Sequence, residues 1–280
     1  MTVDSPTSAM QAAAMQRHHV TVTGRPDGPV LLLAHGFGCD QNMWHRVLPY
    51  FTDRYRVVLF DHMGSGNSDP AGYHADKYST LDGYASDILE LCEALDLRRV
   101  TLVAHSVATM MAVVAAVAEP ERFARLVLVA PSPSYIDDAA EGYTGGFTKE
   151  DIDDLLSSLD SNYFAWSADV APMVMGNPAT PELGAELTAS FCRTNPETAR
   201  NFARVSFLSD VRGVLASVRV PALILQCSDD MLAPSEVGRY LRDRLAGSEL
   251  VELRASGHVP QASAPEETAT TILEYLKRQL

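Results

Sequence analysis

The chain is poor in several residue types, and each shortage argues against a class of protein. Its 280 residues include only four cysteines, whose spacings form neither a C-x-x-C pair nor a zinc site, which predicts reduced thiols in a cytoplasmic protein. Basic residues are scarce and scattered, 22 Lys and Arg against 36 Asp and Glu, so no nucleic-acid partner is expected. The chain has no apolar run of about 18 residues and no basic N-terminal region, so we expect neither a membrane span nor a secretory signal.

Apolar, strand-like runs separated by helical patterns are abundant. With 46% hydrophobic residues, the chain is long enough to bury one large core. Continuous apolar runs are typical of strands that are covered on both faces, and the chain contains GPVLLLAH, YRVVLFD, RVTLVAH, RLVLVA, PALILQC and ELVELRA. Helical patterns such as TLDGYASDILELCEAL and SEVGRYLRDRL lie between them. This alternation predicts an α/β fold with a mostly parallel sheet flanked by helices.

The alternation is interrupted between residues 133 and 215. This stretch shows no strand pattern and consists of short helical patterns broken by prolines and glycines. We therefore assign residues 16–132 and 216–280 to the α/β core and residues 133–215 to a helical insertion over the edge of the sheet. Residues 1–15 are expected to form a flexible N-terminal tail.

The stretch VTLVAHSVATMMAVVAAV predicts a buried strand, a sharp turn at Ser106 and an apolar helix. This is the layout of a nucleophile elbow, in which the N terminus of the helix gives the serine nearby N–H groups and a positive potential. The usual signature is G-x-S-x-G, whereas here Ala104 and Ala108 stand at the glycine positions. If either alanine had a positive φ, the cost would be about 1 kcal/mol, so the elbow is expected to be crowded but buildable.

Two later loops supply the partners that a serine nucleophile needs. Asp229 and Asp230 follow the run PALILQC, and His258 follows ELVELRA. Both loops are expected at the C-terminal edge of the sheet, in the order Ser, Asp, His that this type of fold uses. The residues alone do not decide whether Asp229 or Asp230 is the acid.

An oxyanion hole and a substrate pocket complete the predicted site. The two N–H donors of the hole are expected from Val107, which follows the serine, and from Phe37, which lies between Gly36 and Gly38. Aromatic and Met side chains of the insertion are predicted to roof an apolar cavity over Ser106, on the order of several hundred Å³ in volume. The residues assigned to this pocket are Phe37, Tyr135, Phe147, Trp166 and Met173.

No cofactor or metal is implied by the remaining motifs. GFGCDQ and GSGNSD begin like the dinucleotide-binding signature but lack its third glycine. His18 and His19 are adjacent, so on a strand they point in opposite directions and make a poor metal pair.

Several stretches together resemble the RsbQ group of α/β-hydrolases, and through it the strigolactone and karrikin receptor hydrolases. They run from about His19 to the C terminus and include HGFGCDQNMW, FDHMGSGNSD, YTGGF, FCRTNPETARNFARVSFLSD and LILQCSDDMLAP. The resemblance implies the α/β-hydrolase fold with a four-helix lid. The group normally has glycine where Ala104 and Ala108 stand, a departure that bears on the rate of turnover.

The resemblance also implies roles for individual residues. Ser106 corresponds to the nucleophile and His258 to the base, while Phe37 and Val107 correspond to the oxyanion donors. Asp230 corresponds to the acid, because it directly precedes the short apolar stretch that ends in a proline. As binding partners, the resemblance implies a small hydrophobic ligand and a phosphatase that carries a PAS domain.

These patterns predict a serine hydrolase that cleaves an ester or lactone of a small hydrophobic ligand through an acyl-enzyme, in connection with stress or ligand signalling. The alternative is a ligand-sensing module with slow or vestigial hydrolysis that docks the PAS-domain partner. A cofactor-free haloperoxidase or a hydroxynitrile lyase could use the same three residues. A haloalkane dehalogenase or an epoxide hydrolase would carry Asp at position 106, so Ser106 argues against both.

Overall fold

The computed structural model describes residues 6–278, and its regular elements alternate along most of that range. The strands are β1 (Thr21–Gly24), β2 (Val30–Ala34), β3 (Arg56–Leu59), β4 (Val100–His105), β5 (Phe123–Val129), β6 (Ala222–Asp229) and β7 (Glu249–Ser256). The helices are α1 (Pro6–Arg17), α2 (Leu81–Ala94), α3 (Val107–Ala118), α4 (Lys149–Ser161), α5 (Tyr163–Met175), α6 (Pro181–Arg193), α7 (Pro196–Leu208), α8 (Ser235–Arg244), α9 (Pro260–Ser263) and α10 (Pro265–Arg278).

The seven strands form one sheet in the order β1-β3-β2-β4-β5-β6-β7. Only β1 runs antiparallel to its neighbour, so the predicted, mostly parallel α/β sheet is confirmed. Residues along each strand alternate between two cores. Leu32 lies in the core that contains Ile88 of α2, on one face of the sheet, and Leu33 lies in the core that contains Ile272 of α10, on the other. Ligands bind beyond the carboxyl ends of parallel strands where the strand order reverses, which here is between β2 and β4.

Four helices, α4–α7, cover that edge of the sheet, and all lie inside the residues 133–215 assigned to the insertion. Each begins where its sequence provides a start signal. The Thr148 hydroxyl accepts from the Asp151 N–H in a capping box, and Asn162 and Asn195 cap α5 and α7. The lid helices pack around their own apolar cluster, which includes Ile152, Leu187 and Phe207.

The expected flexible tail over residues 1–15 is wrong from Pro6 onward, because Pro6–Arg17 is the helix α1. This segment is rich in alanine, the residue that costs least to place in a helix. Arg17 also fixes its end against α2, donating to Glu90 at 3.3 Å and to the hydroxyl of Tyr78 at 3.2 Å. Residues 1–5 of the expected tail lie outside the described residues.

Two further sequence expectations concern the whole chain. The four cysteines, Cys39, Cys92, Cys192 and Cys227, are all free thiols. Among residues 6–278, no helix combines the length and the apolarity that crossing a membrane would require.

Candidate active site

Ser106 occupies the turn between β4 and α3 in a conformation that ordinary residues avoid. Its φ is 56° and its ψ is −129°, and its N–H donates to Val129 O at 2.9 Å, which ties the turn to β5. Strained backbone of this kind persists only where the surroundings fix it, and it is the geometry of a nucleophile elbow. The turn directs the serine hydroxyl beyond the carboxyl end of the strand.

Ala104 and Ala108 fit this turn without backbone strain. The non-glycine residues with positive φ in the described chain are His19, Asp96, Arg99, Ser106 and Ala130, so neither alanine is among them. Both side chains are fully buried in the core that contains α2 and α3. The backbone cost expected from a positive φ therefore does not arise at these positions.

The position that does need glycine is Gly36, on the loop that follows β2. A Cβ there would lie 2.7 Å from His105 Nδ1 and 3.1 Å from Ser106 Cβ. The close approach of this loop to the elbow thus depends on Gly36.

Ser106, His258 and Asp230 lie together in one chain of hydrogen bonds. His258 Nε2 is 2.7 Å from Ser106 Oγ, and His258 Nδ1 is 2.8 Å from Asp230 Oδ2. All three residues are buried, and Asp230 Oδ1 also accepts from the N–H groups of Leu232 at 2.9 Å and Ala233 at 3.2 Å. Asp229, the other aspartate left open by the sequence, is exposed at the end of β6.

His105 is a residue of this site that the sequence did not single out. Its Nε2 donates to His258 O at 2.8 Å, so the residue before Ser106 holds the loop that carries His258. Burial lowers the pKa of His105 to about 3, and the ring is therefore neutral with its proton on Nε2. The signal in the sequence that could have indicated this role is the position of His105 directly before the serine.

The loop after β2 brings Phe37 to the same edge of the sheet. Gly38 has a φ of 71°, and a Cβ there would collide with the ring of Phe191 at 2.3 Å. His35 Nδ1 donates to Gly36 O at 2.9 Å, while His35 Nε2 accepts from the N–H of His62 at 3.0 Å. Because C=O and N–H point in opposite directions across a trans peptide, this contact turns the N–H of Phe37 away from His35.

Val107 is the second residue predicted to donate to an oxyanion. It is the first residue of α3, directly after Ser106, and the N–H groups of the first helical turn have no acceptor within the helix. The same helix N terminus provides a positive potential beside the serine.

An apolar cavity lies over Ser106, and it is much smaller than expected. Its volume is about 40 Å³, against the several hundred Å³ predicted from the composition of the insertion. The reason is that aromatic rings fill the space: the ring of Phe37 meets those of Trp166, Phe191 and Phe207 edge-on, at centroid distances of 5.6–6.2 Å. The volume holds little more than water-sized molecules.

Three of the five predicted pocket residues, Phe37, Tyr135 and Trp166, line this cavity. The Tyr135 hydroxyl is 3.4 Å from Ser106 Oγ, and burial raises the pKa of Tyr135, so the phenol keeps its proton. Residues that the sequence did not indicate also line it, among them Leu155, Val170, Val174, Leu187, Phe191, Phe207 and Leu232.

Phe147 and Met173 do not line the cavity, and these two predictions are wrong. Met173 is 52% exposed, because Ala171, Val174 and Met175 take the inward positions in the last turn of α5. Phe147 lies beside Tyr135, donating its N–H to Tyr135 O at 3.1 Å, and packs against the outside of the lid cluster.

Comparisons with known proteins agree with this architecture. Residues 29–207 match the family described as alpha/beta hydrolase fold. The chain is 39% identical to the strigolactone esterase D14 of Arabidopsis thaliana, over 94% of this chain and 96% of that protein. It is 36% identical to the Karrikin insensitive 2 receptor CA of Petunia hybrida, over 95% of this chain and 97% of that one. The solved structure of a hydrolase from Oleispira antarctica superposes with a TM-score of 0.92 at 36% identity, covering 95% of this chain and 97% of that chain. The chain therefore belongs to the α/β-hydrolase family, close to the strigolactone and karrikin receptor hydrolases.

Proposed function

We propose that the protein is a serine hydrolase that cleaves an ester or lactone of a small hydrophobic ligand. The observation that carries this proposal is the hydrogen-bonded chain from Ser106 Oγ through His258 to Asp230, with distances of 2.7 and 2.8 Å. The cavity above the serine is apolar, which favours a hydrophobic ligand over a charged one.

The proposed reaction follows from the protons on the three side chains. Asp230 accepts a hydrogen bond from the N–H at His258 Nδ1, which holds the tautomer whose free Nε2 is a base facing the Ser106 hydroxyl. Ser106 Oγ attacks the carbonyl carbon as its proton moves to Nε2, and the imidazolium then protonates the departing alcohol oxygen. A water molecule, deprotonated by His258 in turn, attacks the acyl-enzyme, and the imidazolium then returns this proton to Ser106 Oγ as the acid departs.

The negative charge that develops on the carbonyl oxygen needs preorganised donors. We assign this role to the N–H groups of Phe37 and Val107. The phenol of Tyr135 is a third donor within reach of the reacting atoms, because it already lies 3.4 Å from Ser106 Oγ.

Labelling and turnover together test this proposal. An alkyl fluorophosphonate should label Ser106, and Ser106→Ala should abolish both labelling and hydrolysis of p-nitrophenyl acetate. Asp230→Asn should lower kcat by about 10⁴-fold through the wrong histidine tautomer, whereas Asp229→Asn serves as the matched control and should keep full activity. Loss of activity in Asp229→Asn alone would contradict the assignment of the acid.

A second candidate function is ligand sensing, with slow hydrolysis. Similarity over nearly the whole chain to a protein named as a Karrikin insensitive 2 receptor favours it, as does a cavity lined by side chains of all four lid helices. In that case the partner we propose is a phosphatase that carries a PAS domain. Slow turnover together with ligand-dependent binding of such a phosphatase, measured by size-exclusion chromatography, would favour sensing. Fast turnover without binding would favour the hydrolase alone.

A further inference from the structure

A second hollow lies directly beside the catalytic cavity and is far larger. Its volume is about 320 Å³, against about 40 Å³ over Ser106. The two hollows share three lining residues, Cys39, Leu187 and Val259. These side chains therefore form the partition between them.

Each part of the partition comes from a different functional element. Cys39 lies on the loop of Phe37, and its N–H donates to Gly36 O at 3.4 Å. Val259 follows His258, whose N–H donates to Val174 O at 2.9 Å. Leu187 comes from the lid helix α6, and it has the largest of the three side chains. Leu187 is therefore the part of the partition whose truncation opens it most.

The larger hollow, which we call the outer groove, has an apolar floor and a polar rim. Its floor includes Met175, next to the buried partition residues, and its rim includes the exposed side chain of Asn42. The charges at the rim are paired within the protein: Arg193 donates to Asp40 at 2.8 Å, and Arg46, beside the groove, donates to Glu186 at 2.7 Å. This chemistry suits an uncharged ligand with an apolar body.

We propose that the cavity and the outer groove form one bipartite site, in which the groove holds the alcohol part of an uncharged ester that passes Leu187. The proposal rests on the proposed hydrolase function. The alcohol part is assigned to the groove because the departing oxygen takes its proton from His258, and Val259 and Ala262 on that side line the groove. A bipartite site also explains how a cavity of about 40 Å³ can serve a ligand larger than the cavity itself.

The test compares three esters: ethyl acetate, octyl acetate and ethyl octanoate. Leu187→Ala, which opens the partition, should raise the ratio of kcat/KM for octyl acetate over ethyl acetate by roughly tenfold. Asn42→Trp, which fills the outer groove, should lower the same ratio by a similar factor. Leu183→Ala is the matched control, because Leu183 is a buried residue one turn earlier on α6 that lines neither hollow.

An equal change of the ratio in Leu183→Ala would overturn the proposal, since loosening of the lid would then explain it. The proposal would also be overturned if the two substitutions changed kcat/KM for ethyl octanoate and not for octyl acetate, because the acyl part would then occupy the groove. If the wild type hydrolyses none of the three esters, the hydrolase function fails. Binding of octyl acetate to the Ser106→Ala variant then tests whether the outer groove holds this ligand. Octyl acetate should then raise the Tm of Ser106→Ala but not that of Ser106→Ala with Asn42→Trp. No shift in either protein, or the same shift in both, would overturn the bipartite site.

Discussion

At the scale of single residues, the backbone angle decides where alanine can replace glycine. Ser106 carries the positive φ of the elbow, whereas Ala108 lies in α3 with a negative φ. We therefore expect Ala108→Gly to leave kcat for p-nitrophenyl acetate unchanged. The same change should lower the free energy of unfolding by up to about 1 kcal/mol, since glycine weakens a helix.

Kinetics and urea unfolding of Ala108→Gly check this prediction. Gly36→Ala is the contrasting variant, because its Cβ would press on the His105 ring and on Ser106, and it should reduce kcat strongly. A rise in kcat of Ala108→Gly would mean that the methyl group of Ala108 does disturb the elbow.

The sequence predicts residues well where chain order and chemistry constrain them together. Ser106 and His258 follow strands in the order that this fold requires, and these strands bring them within 2.7 Å of each other. Met173 fails as a pocket residue because composition does not tell which face of a short helix turns inward. The small cavity was missed for a related reason, since the rings that roof a pocket can also fill it.

At the scale of the elements, the lid helix α6 is attached to the core beside the loop of Phe37. Arg193 at its end donates to Asp40 at 2.8 Å, and Ser190 donates to Gly38 O at 3.0 Å. Asp40 is buried, so removing its cation leaves a poorly solvated carboxylate. With Arg193 half exposed, we expect Arg193→Met to lower the free energy of unfolding by about 1–2 kcal/mol, and amide exchange in α6 to become faster.

Urea unfolding and hydrogen exchange over residues 181–193 measure both effects. Arg46→Met is the matched control: its pair with Glu186 joins two half-exposed side chains and should contribute less than about 1 kcal/mol. Equal losses of the free energy of unfolding in the two variants would show that the burial of Asp40 does not strengthen its ion pair.

The core elements were predictable because their apolar runs have the length and flanking turns of buried strands. The helix α1 was not, since its sequence lacks a clear apolar stripe, and its stability depends on contacts of Arg17 with α2 that no local pattern reveals. The lid helices were recognised only as a strandless region, and their packing over Ser106 is a tertiary property.

At the scale of the whole molecule, buried histidines make the fold sensitive to acid. His35, His62 and His105 are buried, and burial lowers the pKa of each, to about 3 for His105. In the unfolded chain their pKa is about 6.5, so below that pH the unfolded state binds protons that the folded state does not. The stability they contribute is complete above about pH 6.5 and is lost as the pH falls, through about pH 3 for His105.

His105 should remove about 1.4 kcal/mol from the free energy of unfolding per pH unit between its unfolded pKa of about 6.5 and its folded pKa of about 3, and His35 and His62 should add losses of the same sign. Urea unfolding at a series of pH values, in enough salt to screen the formal net charge of −14, measures this slope. His105→Gln removes one titrating ring, so its slope should be shallower by about 1.4 kcal/mol per pH unit. A stability that is flat between about pH 6.5 and 5 would contradict the prediction, because it would mean that these rings take up protons in the folded protein as easily as in the unfolded chain.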